Sequence, residues 1–222
     1  MNVTKKLILP VIFVLAFIAP QAGAAEWYGD VTLGIGFTDA ENGGIRQNAV
    51  VTRPMESSDI STPLGLRMGL WLEHNPWLGF AGDIFLFVPN FSEAGSDDDI
   101  VLTVMPFSAL VLVRMKPPSN MGSTRTWTPY LGGGPGYFFS SMSEFAGASV
   151  PPPAVLEDSS MDLGWTGIAG ISWRLSEKFS ALFEYRYTQV SPSLSSSHSS
   201  GTLRFEPDLQ TQHFLLGLRI HF

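Results

Sequence analysis

The chain has 222 residues, room for one domain or a modest pair, and is 45% hydrophobic, 12% aromatic and only 15% charged. It has no cysteine, which excludes a disulfide framework, a thiolate metal site and a cysteine-linked lipid anchor. A formal charge of −7 argues against nucleic acid as a partner, and 22 glycines with 16 prolines favour turns and strands over helices.

Residues 1–24 read as a secretory signal. Lys5 and Lys6 form a basic end, "LILPVIFVLAFIAP" is the apolar run, and Ala22-Gly23-Ala24 is a small-residue cleavage box. A transmembrane anchor is the competing reading, but Pro10 and Pro20 bracket the run and its apolar core falls short of the ~20 residues a span needs. Cleavage after Ala24 would leave residues 25–222 as a single domain with 11 basic against 20 acidic residues.

Beyond the signal no window has the long apolar stretch of a membrane helix, and the recurring pattern has period two. In "VTLGIGF" Val31, Leu33, Ile35 and Phe37 lie on one side, with Asp30, Thr32, Gly34 and Gly36 on the other. In "LGLRMGLWLE" Leu64, Leu66, Met68, Leu70 and Leu72 oppose Gly65, Arg67, Gly69, Trp71 and Glu73. A helix would spread both sets around its axis, whereas a strand separates them. Eight such segments are predicted, at 27–38, 61–73, 77–88, 99–115, 128–141, 161–175, 179–190 and 209–222. Connections after the first, third, fifth and seventh are long or polar, while "HNP" and "SEK", after the second and sixth, are tight. The connection 116–127 is long where this alternation expects a turn, and nothing in the sequence explains it.

The two tight turns fix registers. Centring one hairpin on Asn75 sets Leu72 against Leu78, Leu70 against Phe80 and Leu66 against Ile84, with Arg67 facing Asp83 on the other side. Centring the other on Glu177 pairs Trp173 with Ala181, Ala169 with Tyr185, Gly167 with Tyr187 and Gly170 with Glu184. Small residues then oppose large ones, and a slip of one residue would scramble both faces.

A soluble sandwich would bury the apolar rows, whereas a membrane barrel turns them to lipid. These rows are almost free of charge, while the opposite rows mix Gly, Ser and Thr with Asp30, Arg67, Asp83, Arg174, Glu184, Arg186 and Arg219. Together with the export signal and the loop alternation, this predicts an all-β fold, an eight-stranded antiparallel up-and-down transmembrane β-barrel. Lipid offers no hydrogen-bond partner, so the sheet must close and the last strand must pair with the first. The final "HFLLGLRIHF" then presents Phe214, Leu216, Leu218, Ile220 and Phe222 to hydrocarbon. Trp27, Trp77, Trp127 and Tyr130 are expected in an aromatic girdle at the short-turn end. Pro106 and Pro135, each lacking a ladder donor, are expected to cause local bulges.

The stretches "WYGDVTLGIG", "VMPFSALVLVRM", "TPYLGGGPGYFF", "GWTGIAGISWRLSEKFSALFEYRYTQVSP" and "DLQTQHFLLGLRIHF" resemble the small outer-membrane β-barrel proteins of Gram-negative bacteria, the porin-like or opacity-protein-like surface antigens. The resemblance implies a monomeric barrel among outer-membrane lipids and lipopolysaccharide, handled by the barrel-assembly machinery through its last strand. Gly217, Ile220 and Phe222 match the assembly signal of such barrels, from which Leu215 departs, a polar residue being usual there. The resemblance fixes no common chemistry, since such barrels serve as structural proteins, adhesins or surface antigens, and no cofactor is expected.

An eight-stranded lumen is filled by side chains. Arg67 and Asp83, with Glu184 and Arg186 nearby, are expected to form a buried network, readable as an ion gate or as a plug. The plug is preferred, because unpaired buried charge costs several kcal/mol. His198, Ser200 and Glu206 supply the residue types of lipid A deacylases, which are also eight-stranded outer-membrane barrels. They lie in or beside "SPSLSSSHSSG", where any His has serine neighbours, so a flexible solvated loop is the preferred reading. Asp97, Asp98 and Asp99 lack calcium-loop spacing, and His74, His213 and His221 are too scattered for a metal site. "GGGPG" at 132–136 lacks a phosphate loop's Lys-Ser/Thr and reads as room for a bulky inner neighbour. The expectation is therefore a non-enzymatic barrel with a structural or surface-interaction role. An adhesin acting through its loops, a lipid A-modifying enzyme and a narrow ion pore are the alternatives.

Overall fold

The computed structural model describes residues 25–41, 44–47, 50–57, 60–93, 99–115, 126–144, 158–198, 201–205 and 207–222. Eight long strands carry the architecture: β1 (Ala25–Glu41), β2 (Leu64–Leu72), β3 (Leu78–Leu86), β4 (Asp99–Arg114), β5 (Trp127–Glu144), β6 (Asp158–Arg174), β7 (Phe179–Val190) and β8 (Asp208–His221). Each pairs antiparallel with its sequence neighbours. β1 also pairs β8 over fourteen positions, from Tyr28–His221 to Glu41–Asp208, which closes the sheet into an up-and-down barrel. Closure leaves no edge among these strands, the condition for a sheet in lipid.

Both hairpin registers follow the sequence pattern. Arg67 faces Asp83, Leu66 faces Ile84 and Leu70 faces Phe80. Trp173 faces Ala181, Ala169 faces Tyr185 and Gly170 faces Glu184. The turns hold these registers through short main-chain bonds, with Leu78 N–H donating to Asn75 O at 2.8 Å and Leu175 N–H to Phe179 O at 2.9 Å.

The prolines behave differently from expectation. The β4–β5 ladder passes Phe107–Tyr137 and Ser108–Gly136, omits two pairs beside Pro135, and resumes at Val111–Gly133 in the same register. The β3–β4 ladder stops at Ile84–Phe107 beside Pro106 and resumes at the Phe87–Val104 bridge, again without a shift. A missing amide removes hydrogen bonds. The fixed alternation of faces holds the register across the gap, so no bulge forms.

Beyond the long-connection end, short strands continue the wall. Gly44–Gln47 pairs with Val50–Ser57 and with Gly201–Phe205, which pairs in turn with Leu194–His198. Val50–Ser57 also meets Asn90–Glu93. Within the serine-rich segment, Leu194–His198 is thus a strand paired through its ladder with Gly201–Phe205.

Outside, Val31, Leu33, Ile35, Leu64, Leu66, Leu163, Phe183, Leu216 and Phe222 stand exposed, an apolar belt that lipid covers. Trp77 and Trp127 are exposed at the short-turn end, and Trp127 stacks on Trp173 with ring centroids 4.9 Å apart. Tyr130 is a correction to the girdle: it is buried and points into the lumen. Parity explains this, because Trp127 and Leu131 face out and the even-numbered Tyr130 faces in. Inside, an apolar layer around Phe85, Phe87, Leu102, Phe138 and Leu215 lies toward the long connections. A second layer around Tyr28, Trp71, Leu112 and Leu182 lies toward the short turns. Charged side chains separate the two.

Candidate functional site in the barrel lumen

Between the apolar layers six ionised side chains meet, three guanidinium groups and three carboxylates, all buried. Asp30 comes from β1, Arg67 from β2, Asp83 from β3, Glu184 and Arg186 from β7, and Arg219 from β8. Their alternate neighbours are lipid-facing, so parity alone directs each of them inward.

Arg67 is the hub. Its Nη1 and Nη2 donate to the two Glu184 oxygens, both at 2.8 Å. Its Nε donates to Asp83 Oδ1 at 3.1 Å, and Nη1 also reaches Asp30 Oδ2 at 3.4 Å. Arg186 grips Asp83 in bidentate fashion at 2.8 and 2.9 Å and touches Glu184 at 3.3 Å. Arg219 grips Asp30 likewise, at 2.7 and 2.8 Å. These fork-to-carboxylate geometries are the strong form of the charge-assisted bond.

Uncharged groups complete the lattice. Tyr130 O–H donates to Glu184 Oε2 at 2.7 Å. It reaches across β6 because Gly170 stands between them, where a Cβ would come within 2.7 Å of the Tyr130 ring. Arg186 lies 3.9 Å over the Phe85 ring and Arg219 3.9 Å over Tyr28. Desolvated cation–π contacts of this kind are worth about 2 kcal/mol. Formal charge balances, three against three, so the lattice itself carries no net charge.

The predicted residues Arg67, Asp83, Glu184 and Arg186 thus converge, and Asp30, Arg219 and Tyr130 join them. Arg174 does not. It lies at the β6 end and donates to the Ser176 and Glu177 carbonyls. Gly217 faces Thr32 and Leu182 across its two ladders, while Ile220 and Phe222 point outward. Ala22, Ala24, Ser200 and Glu206 lie outside the described residues, as do Asp97 and Asp98. His198 ends the strand Leu194–His198. His74 is exposed at a turn, His213 is buried between Phe85 and Phe87, and His221 bonds Ser180, so the three do not meet. A pair not anticipated from sequence, Arg114 Nη2 to Glu26 Oε2 at 2.6 Å, links β4 to β1 at the short-turn end. Its only sequence signal is that both residues end inward rows.

The chain matches the outer membrane protein beta-barrel domain family over residues 9–222. Among solved structures it is similar to the outer membrane protein OprG from Pseudomonas aeruginosa, with a TM-score of 0.61 at 17% identity, covering 90% of this chain and 98% of that one. It is also similar to Neisserial surface protein A, with a TM-score of 0.55 at 14% identity, covering 90% and 99%. A major outer membrane protein from Thermus thermophilus gives 0.53 at 13% identity, covering 90% and 100%. At these identities the likeness is one of fold. No curated protein matches the sequence. With its closed eight-stranded wall and apolar belt, the chain belongs to the outer-membrane β-barrel domain family and sits in the outer membrane.

Proposed function

We propose that the protein is a structural or surface-interaction barrel without catalytic activity, its lumen sealed by the charge lattice. The single observation that carries this is the mutual satisfaction of Arg67, Arg186 and Arg219 by Asp30, Asp83 and Glu184. A gate that opened would strand these charges, at several kcal/mol each. The lattice is therefore read as a plug, and the wall as a platform for the long connections. Residues 1–24 act as the export signal cleaved after Ala24, and β8, with Gly217, Ile220 and Phe222, is the segment the barrel-assembly machinery reads. The test is planar-bilayer recording on refolded protein. The expected trace is free of stepwise conductance, and reproducible steps would overturn the sealed-lumen reading.

A second reading, recognition through the long connections, is supported by the short strands that join the connections after β1, β3 and β7. Cells carrying deletions in these connections would lose surface attachment while keeping the barrel. Incubation with lipopolysaccharide should release no acyl chains, and release would revive a deacylase role for His198, Ser200 and Glu206.

A further inference from the structure

On β8 the outward row is apolar from Phe222 to Phe214, about 27 Å of strand and, at a tilt of about 40°, about 21 Å of depth. The apolar band of such barrels is about 25 Å tall. It therefore ends near Gln212, toward the long connections, which face the outside of the cell. There the outward row changes chemistry on three adjoining strands. It becomes Tyr185, Tyr187 and Gln189 on β7, Gln212 and Gln210 on β8, and Phe37 and Asp39 on β1.

Hydrogen bonds order this patch. Tyr185 is the ladder partner of Phe214, yet its O–H donates to Gln212 Oε1 at 3.2 Å. Tyr187 is the partner of Gln212, yet it donates to Gln210 Oε1 at 3.0 Å. The same diagonal step, taken twice, holds both amides by their oxygens. Their Nε2–H donors have no partner among the described residues. Asp39, exposed and directly across from Gln210, supplies a carboxylate acceptor beside them. Phe214 meets Phe37 edge-on at 6.3 Å and Tyr185 at 5.4 Å, so the polar row stands on an aromatic one. On the other side of the tyrosines β6 offers only Gly167 and Ala169, and a Cβ at Gly167 would meet nothing within 4 Å. Exposed Trp165 lies across from Gln189.

The patch continues the lipid-covered belt upward, so its occupant belongs to the headgroup layer of the outer leaflet. A phosphoglycerol headgroup brings acceptors and negative charge, which suit the amide donors and are repelled by Asp39. A sugar ring brings hydroxyl donors, oxygen acceptors and an apolar ring face. It matches the carboxylate, the amides and the aromatic rings together.

We propose that Tyr185, Tyr187, Gln210, Gln212, Asp39 and Trp165 form a binding site for the sugar headgroup of an outer-leaflet glycolipid. Its acyl chains run down over Phe183, Leu216 and Leu33, which are exposed one row below Tyr185 and Phe214. Folded protein in micelles is titrated with deep-rough lipopolysaccharide and, separately, with phosphatidylglycerol at equal mole fraction. The side-chain ¹⁵NH₂ resonances missing from Gln210→Met and Gln212→Met should shift saturably with the lipopolysaccharide and stay in place with phosphatidylglycerol. The double variant should weaken retention of lipopolysaccharide through detergent exchange by about tenfold, two neutral hydrogen-bonding groups being lost. Equal shifts with both lipids would make the patch an ordinary interfacial girdle and overturn the proposal. Unaltered retention in the folded double variant overturns it as well. Should the double variant fail to fold, the contrast between the two lipids on the parent protein decides alone.

Discussion

Replacing Asp83 by Ala tests the lattice most directly. Asp83 accepts three bonds, from Arg67 Nε at 3.1 Å and from Arg186 Nη1 and Nη2 at 2.8 and 2.9 Å. After its removal Arg67 keeps both Glu184 oxygens and Asp30, so its loss is small. Arg186 keeps only the 3.3 Å contact to Glu184 and the Phe85 face. It becomes a nearly unpaired cation in a closed interior, and three guanidinium groups face two carboxylates. Breaking a buried pair from one side costs about 3–5 kcal/mol. Even the lower bound reduces the folding equilibrium by more than about a hundredfold. The assay is the urea midpoint of the folded band in heat-modified gels, with vesicle-reconstituted protein. The decisive variant is Asp83→Ala combined with Arg186→Met, which removes the stranded charge and should recover at least half of the loss. The reasoning is refuted if Asp83→Ala costs under about 1 kcal/mol, or if the double variant is as unstable as the two single losses added.

Other consequences can be checked with the same preparation. Arg67→Ala with Glu184→Ala takes out the hub and its principal acceptor, and should conduct small ions where the parent is silent; a folded but silent variant places the seal elsewhere. Leu216→Lys, outward and mid-strand between Leu33 and Phe183, should cost about 2–4 kcal/mol of folding into bilayers. Gln212→Lys, also outward but further along β8, should cost about 0–1 kcal/mol, so equal costs would contradict the depth assignment. Gly134→Ala pushes a methyl into the Ala109 carbonyl of β4, which should lower stability by about 1–3 kcal/mol. Gly167→Ala meets nothing within 4 Å and should be neutral in the same urea series.

The wall was legible because lipid and lumen impose opposite chemistry on alternate residues, and two tight turns leave one register each. Arg67 and Asp83 could be paired from sequence since they are direct ladder neighbours. The bonds from Arg67 to Glu184 and from Arg186 to Asp83 cross the lumen, and their reach depends on the diameter and shear of the closed sheet. No local pattern carries that information. Tyr130 departs from the girdle for a different reason: its position along the axis suits the girdle, but its parity, fixed by the outward Trp127, turns it into the lumen. Leu215, unusual beside the terminal assembly residues, makes sense inside, where it packs in the Phe85–Phe138 layer. Pro106 and Pro135 show that the loss of a donor and the gain of a bulge are separable events.

The six charges also act as a gauge of stoichiometry. The Arg67–Glu184 and Arg186–Asp83 bonds each span a fixed chord of an eight-staved cylinder, and girth grows with the number of staves. Were two copies to exchange hairpins and pool their staves, Arg67 could no longer touch Glu184 across the bore, and each displaced arginine would demand water or a new acid. The filling thus penalises swapped and merged assemblies without any contact between copies, and one polypeptide per cylinder becomes a property of its contents rather than of its rim.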